Sequence, residues 1–277
     1  MKISTLVEKT KRYLPLLACP LCHCSFDIHL NSLQCKNGHC FDLSTKGYVN
    51  LAPNHHQQAD KYTAQLFQAR KRIFDAGLYE PILQTIITLV KNSGVIMDVG
   101  CGEGYYSNSI SSQYKSSQII GMDLNRDAIS QAAKGCTTPA WIVGDLKKLP
   151  IGDGKVDALL NILTPADYTS FSRVITPKGK LFKVIPGSRY LCEIREGLKD
   201  RLQKNEYSNQ RVIDHLQNHM NIYDRIDLCN QYTLTEEQSR DMLRMTPMTF
   251  GLDENFLSNI HIKSITIDLS ILCCDNK

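Results

Sequence analysis

The chain has 277 residues, 42% hydrophobic and 22% charged, enough for one large globular domain and a small one. No apolar run approaches the roughly 18 residues of a membrane helix, no signal-peptide core precedes a cleavage site, and eleven cysteines, an odd and scattered number, argue against a secreted disulfide framework. The formal charge of +4 is local: residues 1–80 hold ten Lys or Arg against six Asp or Glu, and the remainder holds 22 of each, so an anionic partner is to be sought at the front of the chain. The reading is a cytoplasmic protein in a reducing compartment.

Residues 1–18, with Lys9, Lys11 and Arg12, read as a loose basic lead-in. The next 25 residues, Cys19 to Leu43, hold five cysteines and three histidines. Their spacing is Cys19-x2-Cys22, twelve residues, then Cys35-x3-His39. Two close pairs separated by a short loop aim four soft ligands at one point, which suits tetrahedral zinc. Pro20 stiffens the first knuckle, and Gly38 permits an unusual backbone angle in the second. Four protein ligands close the coordination sphere, so the site is structural rather than catalytic. So short a segment has few large apolar residues, and metal would supply its folding energy. His23, Cys24, His29 and Cys40 read as bystanders, although a four-cysteine site with Cys40 in place of His39 stays open, as does a cluster that binds nothing. Cys101, Cys136, Cys192, Cys229, Cys273 and Cys274 read as small buried hydrophobes.

A helix is expected around residues 66–76, with Leu66, Ala69, Ile73 and Ala76 as its apolar stripe. Arg70, Lys71 and Arg72 would then form a basic face, either solvated or in contact with RNA. Tyr79 follows and, on pattern alone, is an ordinary helix-end aromatic.

From Val95 the chain reads "VIMDVGCGEGYYS": an apolar strand, Asp98, then Gly100-x-Gly102-x-Gly104 opening a helix. Glycines there let a ligand lie against free backbone amides at a helix amino terminus. A second strand, "QIIGMDLN", ends at Asp123, 19 residues past Gly104, the distance at which an acid meets a ribose in a βαβ nucleotide site. "AWIVGDL" ends a third strand near Asp145, "DALLNIL" a fourth near Asn161, and "GKLFKVIP" forms a fifth after a turn at Pro177–Gly179. The tail "HIKSITIDLSILCC" reads as a final strand. Helical stretches between most of these predict a doubly wound sheet. A nicotinamide fingerprint wants its third glycine where Tyr105 stands, so the triplet departs from that pattern.

The acid at Asp98 and the close triplet resemble the first motif of the Rossmann-like, S-adenosylmethionine-dependent methyltransferases, and "RVITPKGKLF" resembles their turn into the fifth strand. That implies an α/β fold with a mostly parallel, seven-stranded sheet. The zinc spacing, "FDLSTKGYVNLAP", "QARKRIFDAGLYEP" and "DVGCGEGYY" together resemble the 23S ribosomal RNA guanine-N1 methyltransferases of the RlmA type, over nearly the whole chain and weakly after about Arg195. The resemblance implies zinc on Cys19, Cys22, Cys35 and His39. It implies a cofactor pocket involving Tyr79, Gly102, Glu103 and position 190, where this chain has Tyr190 and a better-known branch has histidine. Asp145 and Asn161 also depart from that branch. With the motif reading, the expected cofactor contacts are Tyr79, Asp98, Gly100, Gly102, Glu103, Asp123, Asn161 and Tyr190.

The substrate implied is a guanine in a hairpin of 23S ribosomal RNA, one of two near neighbours modified by the two branches. "QQADKY" at 57–62 is closer to the Gram-positive branch. The organisation expected is 1–50 as a zinc-binding RNA-recognition module, 51–90 as a helical linker and 91–277 as the methyltransferase domain, with room for a homodimer. Zinc module and basic helix would form one RNA surface, leaving chemistry to the larger domain. The N1 proton would leave to Asp167, Asp145 or water. Competing readings are a methyltransferase of the same fold acting on another RNA, a protein or a small molecule, and a non-catalytic RNA-binding protein.

Overall fold

The structure, a computed structural model, describes residues 2–53, 64–199 and 208–277; the 57–62 stretch lies outside the described residues. Helix α1 (Ile3–Tyr13) precedes four short strands, β1 (Phe26–His29), β2 (Ser32–Cys35), β3 (Cys40–Ser44) and β4 (Tyr48–Asn50). Helices α2 (Ala64–Asp75) and α3 (Glu80–Leu89) lead to the alternating part of the chain. This runs β5 (Val95–Val99), α4 (Tyr105–Gln113), β6 (Gln118–Asp123), α5 (Arg126–Gly135), β7 (Ala140–Val143), β8 (Val156–Ile162), α6 (Tyr168–Val174) and β9 (Ile175–Pro186). It closes with α7 (Cys192–Gly197), α8 (Gln210–His219), β10 (Met220–Thr233), α9 (Glu236–Met245), α10 (Glu254–Ser258) and β11 (Ser264–Asn276).

All eleven strands join one sheet, in the order β1-β2-β3-β4-β7-β6-β5-β8-β9-β11-β10. The expected seven-stranded, doubly wound core is β7-β6-β5-β8-β9-β11-β10. Its first five strands are parallel, β11 runs antiparallel to β9, and β10 runs antiparallel to β11. The count exceeds seven because β4 pairs in parallel with β7 (Val49 opposite Ile142) and carries β1–β3 onto the edge. A boundary at residue 50 therefore falls inside a continuous sheet. The turn expected at Pro177–Gly179 is an excursion within β9: Ile175 faces Val156, and Lys180 faces Ala158.

The central strands are apolar at nearly every position because both faces are covered. On β5, Met97 and Val99 enter one core with Ile120, Leu159 and Leu181, and Ile96 enters the other with Ile86, Leu160 and Phe182. The first core also takes Phe26, Leu33 and Phe41 from the small strands. The zinc segment is thus packed into the main hydrophobic core.

The loose amino-terminal lead-in is not found. Residues 3–13 form a helix that buries Leu6 and Tyr13, and the Tyr13 hydroxyl donates to the Thr138 carbonyl at 3.1 Å. Each such buried side chain contributes roughly 1.5–3 kcal/mol of hydrophobic stabilisation. The lysines and arginine set apart by the charge count had masked the apolar face between them.

Candidate cofactor cavity and metal centre

Cys19, Cys22, Cys35 and His39 come together at one edge of the sheet, their ligand atoms all within 4.8 Å of one another. The His39 Nδ1 lies 3.5 Å from Cys19 Sγ and 3.4 Å from Cys35 Sγ, and the Cys22 and Cys35 sulfurs are 3.6 Å apart. Backbone bonds shape both knuckles. The His23 amide donates to the Cys19 carbonyl at 2.8 Å, and the Gly38 amide donates to Cys35 at 2.9 Å with Gly38 in the left-handed region. Cys40 is exposed outside this group, so the four-cysteine alternative falls, and the Cys24 thiol faces the Cys22 carbonyl. Three sulfurs and one imidazole nitrogen at these separations fit zinc, which also removes the need for thiols to sit unpaired in a core.

The carboxyl ends of the parallel strands open on a cavity of about 830 Å³. This is where ligands bind in open α/β sheets. The turn after β5 forms one wall. Gly100 (φ +76°) has Thr164 against it, 2.4 Å from where a Cβ would stand. Gly104 (φ +83°) caps α4 in the left-handed region, with the Trp141 ring 2.5 Å from the same virtual position. Any side chain at either glycine would be strained and would also close the turn.

Asp123, ending β6, accepts from the Gly102 amide at 2.9 Å and the Asn125 amide at 2.8 Å. It therefore fixes the turn while lining the cavity. Asp98 sits deeper, accepts from Ser107 Oγ at 2.7 Å, and burial pushes its carboxyl up to about 7. Burial also raises Asp123 and Glu103. Three carboxylates drawn out of water in one wall favour a cationic ligand.

Glu103 is 9% exposed and pairs with Arg70 at 3.4 Å through Oε2, while its buried Oε1 has no partner. The Tyr106 hydroxyl, also in the lining, is buried without a partner as well. An aromatic wall follows: Phe74 stacks on Tyr105 at 4.3 Å and meets Tyr79 edge-on at 5.0 Å. The Tyr79 and Tyr190 hydroxyls are 2.7 Å apart, and burial raises the Tyr79 phenol well above its ordinary range. Further along, after β8 and β9 and at the end of α9, the lining is Leu163, Thr164, Pro165, Pro186 and Met245–Met248.

Seven of the eight residues expected at the cofactor meet in this lining: Tyr79, Asp98, Gly100, Gly102, Glu103, Asp123 and Tyr190. Asn161 is not among them. It lies beneath the Leu163–Pro165 turn, donating to the Pro165 carbonyl at 2.9 Å and accepting from buried Lys183 at 2.5 Å. Asp145 and Asp167 cap the helical turns that follow them, accepting from Lys147 and Ser170 amides, and neither lines the cavity.

The basic face expected on α2 is divided between the outside of the helix and the cavity wall. Arg70 turns inward over the Gly102 turn, and Arg72 makes a two-pronged pair with Asp241 of α9, both bonds 2.6 Å. Lys71, paired with Asp75, is exposed, and Arg72 stays half exposed beside its partner, so Arg70 alone of the three is drawn inward. A sequence signal for Arg70 existed: it stands four residues after Leu66 and three before Ile73, on the flank of the buried stripe.

The orphaned Glu103 oxygen and Tyr106 hydroxyl, the glycine cradle and the acidic wall fit S-adenosylmethionine: a nucleoside with a sugar diol, a sulfonium and an amino-acid end. Fold and cavity define a Rossmann-like methyltransferase that carries a zinc ribbon. A family model described as "RlmA, N-terminal" matches residues 17–60, and one described as "Methyltransferase domain" matches residues 96–179.

Among relatives, YxjB of Bacillus subtilis, named as a 23S rRNA (guanine-N(1)-)-methyltransferase, is 32% identical over 93% of this chain and 96% of its own. The 23S rRNA (guanine(748)-N(1))-methyltransferase of Streptomyces fradiae is 23% identical over 95% of this chain and 98% of its own. A Micromonospora griseorubida protein also named as a 23S rRNA (guanine-N(1)-)-methyltransferase is 25% identical over 87% and 88%. The chain belongs to the 23S rRNA (guanine-N1)-methyltransferase family. Among the described residues, no helix is long and apolar enough to cross a membrane.

Proposed function

We propose that this protein moves a methyl group from S-adenosylmethionine to N1 of a guanine in a hairpin of 23S ribosomal RNA. The observation that carries the reading is one cavity joining an acidic glycine turn to an apolar mouth at the carboxyl ends of the strands. The cofactor, when bound, supplies an electrophilic methyl group.

The chain's own residues do the rest. Asp123 accepts the sugar hydroxyls, and Asp98 and Glu103 favour positive charge beside the turn. Tyr79 and Tyr190, joined hydroxyl to hydroxyl, wall the region between the turn and the mouth. Leu163, Pro165, Pro186, Met245 and Met248 present the apolar surface on which a splayed base packs. Guanine N1 points into its Watson–Crick pair, so the base must be unpaired or extruded before it can enter. Holding acceptor and donor atoms in line at near-contact distance is the main service of such a site. With Asp145 and Asp167 engaged as caps outside the lining, the weakly acidic N1 proton leaves to water.

The zinc ribbon, itself balanced by Lys36 and Lys46 against Asp27 and Asp42, holds the hairpin by its shape, and the positive charge that meets phosphates lies in the segments flanking it. The same reading places the protein in the cytoplasm with its RNA and includes a homodimer, for which the outer edge of β10, the last strand of the sheet among the described residues, offers a pairing surface.

The test is transfer of labelled methyl to three RNAs: whole 23S transcript, the isolated hairpin, and the hairpin with its loop scrambled. Transfer to the first two and not the third supports the reading. Equal transfer to all three, or to none, contradicts it.

A further inference from the structure

Two observations at the glycine turn meet in one pair of side chains. Arg70 Nη1 lies 3.2 Å from where a Cβ at Gly102 would stand, so its guanidinium covers the turn. Its single hydrogen-bond partner among the described residues is Glu103 Oε2, at 3.4 Å, and its planar face lies 5.7 Å from the centre of the Phe67 ring. A guanidinium carries five N–H donors in a planar fork. Most of this fork is uncommitted. Across the pair, Glu103 is nine-tenths buried and its Oε1 accepts from nothing. A spare cationic donor and a spare anionic acceptor therefore stand side by side on the wall of one cavity.

We propose that Arg70 and Glu103 read an α-amino-acid group, the guanidinium taking the carboxylate and Glu103 Oε1 taking the α-ammonium. Resting on the cofactor reading above, this assigns the pair to the methionyl end of the cofactor. The chemistry sorts the alternatives. Sugar hydroxyls need acceptors that are not themselves cationic, and Asp123 supplies them. An anionic group entering a wall that holds Asp98, Glu103 and Asp123 meets repulsion everywhere except at a guanidinium. The lining contains two, Arg70 and Arg195. Arg195 lies after β9 and donates to the Ser188 carbonyl, whereas Arg70 sits over the turn itself, next to the acceptor that an adjacent ammonium needs. A carboxylate and an ammonium on one carbon require donor and acceptor at adjacent positions, which the pair provides.

The experiment is calorimetric titration of the full chain with S-adenosylhomocysteine and with 5′-methylthioadenosine, which has the same nucleoside and sulfur but no amino-acid end. Arg70→Ala and Glu103→Gln are each expected to weaken S-adenosylhomocysteine on the order of 10- to 100-fold, as loss of a charge-assisted bond does. Both should leave methylthioadenosine within about twofold, and that retained affinity also reports an intact fold. Arg70→Lys, keeping charge without the fork, should fall between. Equal weakening of both ligands, or of neither, overturns the assignment. Loss confined to S-adenosylhomocysteine in Arg195→Ala, with Arg70→Ala unaffected, overturns it in favour of the other arginine. Wild-type protein that binds neither ligand overturns the cofactor reading itself, an outcome distinct from failure of this pair.

Discussion

Lys183 offers a quantitative test of how the turn over the acceptor side of the cavity is held. It is 4% exposed on β9, and its ammonium donates to Asn161 Oδ1 at 2.5 Å and to the Thr164 carbonyl at 3.3 Å. Both partners are neutral. Burial without a counter-charge lowers its pKa from 10.5 to about 8, with the Cys274 thiol a minor opposing influence. The unfolded chain keeps this proton up to about pH 10.5, and the folded chain releases it near pH 8. Between those values the unfolded state binds more protons, so stability rises with pH. Below pH 8 the cost of burying the charge is fully present.

A gap of about two and a half pH units, at about 1.4 kcal/mol each, corresponds to roughly 3 kcal/mol. Lys183→Met keeps the apolar stem and removes the amine, leaving Asn161 short of a donor at a cost that does not change with pH. Urea unfolding of zinc-loaded wild type and variant, from about pH 7 to 10.5, isolates the effect because the other titrations cancel. The wild-type stability minus that of the variant should climb by about 3 kcal/mol across the range. A difference that stays flat, or falls, refutes the buried unpaired ammonium.

Purified protein should hold one zinc per chain, and Cys35→Ser should lose it. Because the ribbon shares the main core, chelation should lower the melting temperature of the whole chain, and an unchanged temperature in metal-free protein counts against this coupling. Arg72→Ala strands Asp241, whose side chain is 3% exposed, and should destabilise by about 1–3 kcal/mol, a figure discounted because Arg72 itself is half exposed. RNA affinity at fixed salt should stay the same, whereas a clear loss would restore Arg72 to the RNA surface. Asp123→Ala removes the acceptor of the Gly102 and Asn125 amides and should weaken S-adenosylhomocysteine by roughly 1–3 kcal/mol, so an unaltered dissociation constant would remove Asp123 from the site.

What could be read from the sequence was local. The zinc ligands lie in two short knuckles, and Asp98, the glycines and Asp123 lie within one βαβ unit, so spacing alone brought them together. Features made by distant pairing were hidden. The ribbon's fusion with the sheet depends on Val49 meeting Ile142, and α2 is fixed by Arg72 reaching Asp241. Charge identity revealed that Arg70 and Arg72 were basic but not that they pair with carboxylates far along the chain, Glu103 and Asp241. The long strand β10 was missed because it is a half-exposed edge, its apolar residues diluted by charge. Asn161 was placed correctly at a strand end, yet the buried Lys183 draws its side chain under the loop rather than into the cavity.

Methyl transfer to guanine N1 in 23S ribosomal RNA can be observed on the nucleoside itself. Its most direct test is to incubate purified zinc-loaded protein with unmodified 23S transcript and methyl-labelled S-adenosylmethionine, digest the RNA, and identify the labelled nucleoside by mass spectrometry. The expected product is 1-methylguanosine from a single hairpin position, with the yield at limiting cofactor reduced in Asp123→Ala. Label in another nucleoside, at another atom of guanine, or in no RNA at all would contradict it.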